Sequence, residues 1–240
     1  PNHEPMAGAT RERFDLVDEV EEGHVVVYAH DGLTGFRAAM PAGVESSLDW
    51  ANGTSRLAVT EGKTGKYLLP VETYREHREV IDEQADEVFL KYDRGHAEMP
   101  TTFEMDDWLE LVGWFVTEGS FIRESPGIVL HQQDEAGRGA ISDLLDRMRL
   151  NYSADTDRFN LSNRFLHDWF LDNCGDGYAE KRLPEWVFEL DSSHLPVLLA
   201  TLIQGHGHRA DRGIARARTT SDRLEGETAH VATTGRARPR

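Results

Sequence analysis

The chain has 240 residues and carries 43 acidic against 26 basic side chains, a formal net charge of −17 at pH 7. This length supports one large domain or two small ones with a well-buried core. An acidic surface repels polyanions in dilute salt, so composition alone argues against a nucleic-acid partner. The same acidity keeps proteins of very salty cytoplasms soluble, where about 1 M salt screens charges beyond roughly 3 Å, and it points to a halophilic source.

Residues 1–40 read as strands. Arg13 to Val20 and His24 to His30 are valine-rich and are separated by Glu21-Glu22-Gly23, and Asp31-Gly32 is a turn dipeptide, which together predict a β-hairpin. From Pro41 to about Pro100, Asn52-Gly53, Gly62, Gly65 and Pro70 punctuate short segments, and Val71 to Asp82 is either a helix or an irregular connection. Thr102 or Asp106 is then placed to cap a helix whose apolar positions are Trp108, Leu109, Leu111, Val112, Phe115 and Val116. Ser120 to Arg123 and Gly127 to His131 alternate as strands, and Ala140 to Arg149 is an amphipathic helix with Ile141, Leu144, Leu145 and Met148 on one face. Asn151-Tyr152 and Arg158 to Leu161 return as strands, and Asn163 to Asn173 forms a second helix closed by Cys174-Gly175-Asp176-Gly177. Ser192 or Ser193 caps the next helix, with Pro196 in its first turn. His208 to Thr220 should follow as strands. The stretch from Glu225 onward supplies no apolar face, and its arginines are either a solvated end or phosphate contacts.

No run of about 18 apolar residues exists to span a membrane, and no signal peptide is visible. The single cysteine, Cys174, allows no internal disulfide and implies a reducing, cytoplasmic setting in which it is a core or turn residue. A start at Pro1 without methionine reads as a piece of a longer translation product.

Two stretches organise the chain. Leu111-Val112-Gly113-Trp114-Phe115-Val116-Thr117-Glu118-Gly119 is apolar until its last residues, so the helix is expected to be buried nearly all round and to present Glu118 at its C-terminal tip. A carboxylate at that end opposes the helix dipole unless a cation is near. Leu199-Ala200-Thr201-Leu202-Ile203-Gln204-Gly205-His206-Gly207 repeats the pattern 88 positions on, and Gly113, Ala200 and Thr201 are small enough for the two helices to approach closely.

This pair resembles the LAGLIDADG homing endonucleases, whose two motif helices pack at a pseudo-twofold interface and place one acid each beside the scissile phosphates. Lys181-Arg182-Leu183-Pro184-Glu185-Trp186-Val187-Phe188 is similar to the segment that precedes the second motif in intein-encoded members of that family, and Thr219-Thr220-Ser221-Asp222-Arg223-Leu224 resembles a later helix entry. Pro1-Asn2-His3 resembles the end of the histidine block of intein splicing domains, with His3 polarising the splice-junction peptide; the plain alternative is a histidine in a disordered terminus. The resemblance implies an α+β fold of two αββαββα halves over residues 101–240, the second half truncated or degenerate. It implies a β-rich, Hint-like splicing remnant and connection over 1–100. It further implies a monomer with internal pseudo-twofold symmetry, double-stranded DNA as partner, and Mg²⁺ or another divalent metal as cofactor.

Phosphodiester hydrolysis needs such a metal to generate hydroxide and neutralise developing charge, and hard ions take oxygen ligands. Glu118 fits that role, with Gly119 and Gly207 as the motif glycines. His206 stands where the second acid belongs. An imidazole gives a Mg²⁺ site no charge and suits softer ions, so a nicking or inactive endonuclease is expected. A zinc reading on His206, His208 and Glu118 lacks a further ligand. Two other readings stand beside the enzyme: a DNA- or RNA-binding module of the same fold without cleavage, and an α/β protein whose two apolar helices only form a core.

Overall fold

Val25, Val26 and Val27 are consecutive and fully buried, which places their strand between neighbours on both edges and under cover on both faces. The computed structural model describes residues 12–29, 40–42, 44, 49–50, 65–92, 97–177, 180–209 and 215–217, and shows a mixed α+β protein with antiparallel sheets. It divides into two compact units. One is Asp15–Thr102; the other joins Phe103 onward to the segment ending at Phe14. Strands β1 (Arg13–Asp15) and β7 (Thr102–Glu104) carry the two unit boundaries.

In the first unit, α1 (Leu16–Glu19) precedes β2 (His24–Ala29), the centre of a five-stranded sheet. The order is β3-β4-β2-β5-β6, with β3 Asp49–Trp50, β4 Gly65–Pro70, β5 Glu87–Lys91 and β6 Met99–Pro100. β2 pairs along its whole length with β4, from His24 opposite Pro70 to Ala29 opposite Gly65, and with β5 on its other edge. The segment expected as a connection or a helix is two short helices, α2 (Val71–Glu76) and α3 (Arg78–Gln84), broken at His77.

The expected hairpin of Arg13–Val20 with His24–His30 does not form. Leu16 and Val17 are both fully buried, a pattern no half-exposed strand allows, and the chain turns there into α1. Arg75 holds that turn: its Nε donates to the Val17 carbonyl at 2.7 Å, and its guanidinium also reaches the Val20 carbonyl. His30 and Asp31-Gly32 lie outside the described residues.

The second unit is built on α4 (Met105–Glu118), in which every residue from Leu111 to Thr117 is buried. Neither Thr102 nor Asp106 caps it. The N-cap position is Glu104 without a side-chain cap bond, while Thr102 Oγ1 donates to Asp15 at 2.7 Å. A four-stranded sheet follows in the order β10-β11-β9-β8, made of β8 (Gly119–Phe121), β9 (Ile128–His131), β10 (Ser153–Ala154) and β11 (Arg158–Leu161). The strand expected at Asn151-Tyr152 begins two residues later, because the Tyr152 hydroxyl is held by Ser142 at 2.9 Å and Asp146 at 3.1 Å. Helix α5 (Glu135–Arg147) starts earlier than Ala140, since Asp134 accepts from the Gly137 N–H at 2.9 Å and caps it. Helix α6 (Arg164–Cys174) is capped by Asn163 and stopped by Gly175 at φ 78, a left-handed turn suited to glycine. Cys174 at its end is buried and unbridged.

A 3₁₀ turn (Glu185–Glu189) leads to α7 (Leu195–His206), and β12 (Gly207–Arg209) pairs with β13 (Ala215–Ala217). The core of this unit is aromatic. Trp108 stacks on Phe14 at 4.2 Å between ring centres, and Trp169 and Phe170 pack around it.

Candidate functional site

Helices α4 and α7 cross where their small residues meet. A Cβ added to Gly113 would lie 2.9 Å from both Cβ and Cγ2 of Thr201, and one added to Gly205 would lie 2.6 Å from Thr117 Cβ. Both threonines spend their hydroxyls on their own helix, Thr117 Oγ1 donating to the Gly113 carbonyl and Thr201 Oγ1 to the Val197 carbonyl. The partner helix therefore meets only carbon at the Gly113–Thr201 layer. Ala200, equally small, is exposed and lies on another side of α7.

A third contact closes the N-terminal ends: His194 Nδ1 lies 2.6 Å from Asp106 Oδ1. In each of the three contacts the partners are 88 positions apart, the offset that separates the two motifs. Residues related by the repeat thus face each other, and the helices run parallel. Their C-terminal ends, Glu118–Gly119 and His206–Gly207, come to the same end of the pair.

At that end Glu118 is half-buried, and burial raises its carboxyl above the usual range while Lys181 opposes the shift. Lys181 supplies the cation that an acid at a helix C-terminus requires. Its Nζ donates to the carbonyl of Phe115 at 2.9 Å and to that of Gly119 at 2.6 Å, and lies 5.3 Å from the centre of the Phe115 ring. Burial pushes its ammonium down to about 8 against the pull of Glu118. Lys181 was visible in the sequence only as part of the linker pattern; the signal that should have marked it was the unfavourable placement of Glu118 against the α4 dipole. Gly119 is needed for close approach, since a Cβ there would run into the Phe115 ring and carbonyl.

The structure describes the backbone at His206, the last residue of α7, and at Gly207, the first of β12. His3 lies outside the described residues. Among the described residues no group of three His, Cys, Asp or Glu side chains forms a metal cluster.

The sheet beside this end has two faces of opposite character. By register, Ile128, Leu130, Phe159 and Leu161 point inward and are buried. Ser120, Val129, His131, Ser153, Arg158 and Asn160 share the other face, where Ser120 Oγ lies 3.1 Å from His131 Nε2. Among the described residues no helix is long and apolar enough to cross a membrane. Compared with protein-family models and with curated proteins, the chain matches none.

Proposed function

We propose that the chain is an intein-borne, site-specific DNA endonuclease of the LAGLIDADG homing type, acting as a monomer on double-stranded DNA. In this reading Glu118 is its metal-binding carboxylate, and cleavage is impaired by His206 at the second motif end. One observation carries the reading. Two helices related by an 88-residue repeat run parallel with repeat-related residues in contact, which supports a reading in which the two motif ends lie side by side and each addresses one of the two scissile phosphates.

The chemistry at that end agrees. A half-buried carboxyl whose charged form is disfavoured by burial gains from a divalent ion. Mg²⁺ suits a site with one protein carboxylate because it keeps several waters and takes the rest of its shell from phosphate oxygens. When bound, such an ion supplies the activated water and the charge neutralisation of hydrolysis. Lys181 orders the tip of α4 by tying the Phe115 and Gly119 carbonyls together, and its charge opposes protonation of Glu118. Ser120, His131, Arg158 and Asn160 provide donors and acceptors of the kind that address base edges and phosphates.

The second reading is a non-cleaving DNA- or RNA-binding module of the same fold, favoured by His206 at the acid position and by the net charge of −17. Incubating the chain in molar salt with duplex spanning the uninterrupted insertion site separates the two. Mg²⁺-dependent nicking supports the enzyme, and binding without any strand scission supports the module.

A further inference from the structure

We infer that Asp15–Thr102 is an inserted module that opens and closes as a cooperative unit of its own, fastened at its two chain ends by Arg78. The chain passes between the two units only at the Phe14–Asp15 and Thr102–Phe103 peptide bonds. Both bonds lie in the paired strands β1 and β7, where Arg13 Nε lies 3.3 Å from Glu104 and Thr102 Oγ1 donates to Asp15 at 2.7 Å, so the strands run antiparallel. Successive side chains of a strand point to opposite faces. Phe14 and Phe103 therefore share one face of this two-stranded neck, and Asp15 and Thr102 share the other.

Each unit closes its own pair of ends. In the second, the rings of Phe14 and Phe103 both stack on Trp108, at 4.2 and 5.2 Å between ring centres. In the first, Arg78 at the start of α3 bonds both ends at once, its Nη2 donating to Asp15 Oδ1 at 2.8 Å and to Thr102 Oγ1 at 3.2 Å. The Val17 N–H adds a bond to the Thr101 carbonyl at 3.2 Å. Asp18 of α1 and Asp82 of α3 lie 3.6 and 3.5 Å from the same guanidinium, and Tyr74 of α2 donates to Asp82 at 2.8 Å. All three helices of the unit thus hold the arginine in place.

The first unit also has a core of its own. Val25, Val27, Leu69, Leu90 and Met99 lie on one face of its sheet by register, and all are buried. Burial inside one unit stabilises that unit alone, and a segment with its own core and closed ends unfolds as a separate cooperative unit. When the module opens, the Trp108 stack still holds Phe14 beside Phe103, so the opened segment is a loop whose closure cost grows only slowly with its length. Opening therefore leaves α4 in place. The inference concerns the folding of the two units and does not depend on cleavage.

The test is amide hydrogen exchange on the full chain in molar KCl, read separately over Val25–Val27 in β2 and over Leu111–Thr117 in α4. Arg78→Met removes hydrogen bonds made by a charged group, and should speed exchange over Val25–Val27 by about 10-fold or more while leaving Leu111–Thr117 at the unaltered rate. Phe14→Ala should do the reverse, with about 100-fold faster exchange in α4 or more and no change in β2. Thr102→Val keeps Arg78 and its ion pairs, and gives the first comparison if Arg78→Met does not fold. Exchange that quickens equally in both stretches for either variant would overturn the inference, because the units would then unfold as one body. Unchanged exchange over Val25–Val27 in Arg78→Met would overturn it too, since Arg78 would not be what fastens the module.

Discussion

Lys181 Nζ donates to the Gly119 carbonyl at 2.6 Å and to the Phe115 carbonyl at 2.9 Å, so one side chain from the segment before α7 holds the last turn of α4. Replacing it with methionine keeps the aliphatic stem but removes both hydrogen bonds at a partly buried site, leaving the Phe115 carbonyl with the Gly119 N–H as its helix-end donor. Lys181→Met is expected to destabilise the chain by ~1–3 kcal/mol, measured by urea unfolding. Burial lowers the Lys181 ammonium from 10.5 to about 8. Between those values the unfolded chain holds a proton that the folded chain does not, so stability should rise as pH increases through that window. Lys181→Met should abolish the rise. Glu118, shifted upward by burial, acts at the other end of the scale: its contribution is present at acid pH and is lost as pH rises through its folded value.

Gly113→Ala should be disproportionately harmful for a single methyl. The new Cβ would sit 2.9 Å from Thr201 Cβ and Cγ2, closer than real side chains come, and relief requires the helices to part. A loss of ~1–3 kcal/mol is expected. Thr201→Ala removes Cγ2 and should return part of it, so a double-mutant cycle should show coupling between the two sites. Strictly additive losses would mean the helices are not in contact there.

Phe14 belongs to the core of the second unit although the entire first unit, Asp15–Thr102, separates it in sequence from Trp108. Its ring stacks on Trp108 at 4.2 Å with planes 9° apart and meets the edge of Trp169 at 5.4 Å. Phe14→Ala is expected to cost ~3–5 kcal/mol and to quench or shift the tryptophan emission that reports this cluster. Unchanged stability would show that the segment ending at Phe14 is dispensable to the unit.

With a net charge of −17, self-repulsion opposes the folded state in dilute buffer. Molar KCl should therefore raise the thermal midpoint, most steeply below about 0.5 M, where screening changes fastest. A midpoint that falls on adding salt would contradict the halophilic reading.

Much of the second unit was legible because its elements are locally encoded. The run from Leu111 to Thr117 has no residue that a buried helix would refuse, and the strand over Arg158–Leu161 and the helix after Asn163 carry their own alternation and cap. The repeat was legible too, but its offset was applied only to the motif ends. Extended back to Asp106, it reaches His194, and the bonded pair follows. What could not be read were contacts made by one long side chain with a distant backbone. Arg75 turns the expected strand at Leu16–Glu19 into a helical turn, and Lys181 supplies the cation beside Glu118. Both lie in segments whose local pattern is ambiguous or reads as a linker, and neither leaves a periodic trace. Asp134 was missed for a different reason: its cap lies ahead of Gly137 and Gly139, which disguise the first turns of α5.

In the proposed function, Glu118 and position 206 are the paired positions for a divalent metal at the shared end of α4 and α7. The most direct measurement is strand scission of supercoiled plasmid carrying the uninterrupted insertion site, in molar salt with Mg²⁺, for the unaltered chain, Glu118→Gln and His206→Asp. The expected outcome is slow nicking or none by the unaltered chain, conversion to linear product by His206→Asp, and loss of all scission in Glu118→Gln with folding retained. Nicking by Glu118→Gln at the unaltered rate would contradict it, as would a folded, DNA-bound His206→Asp that cuts neither strand.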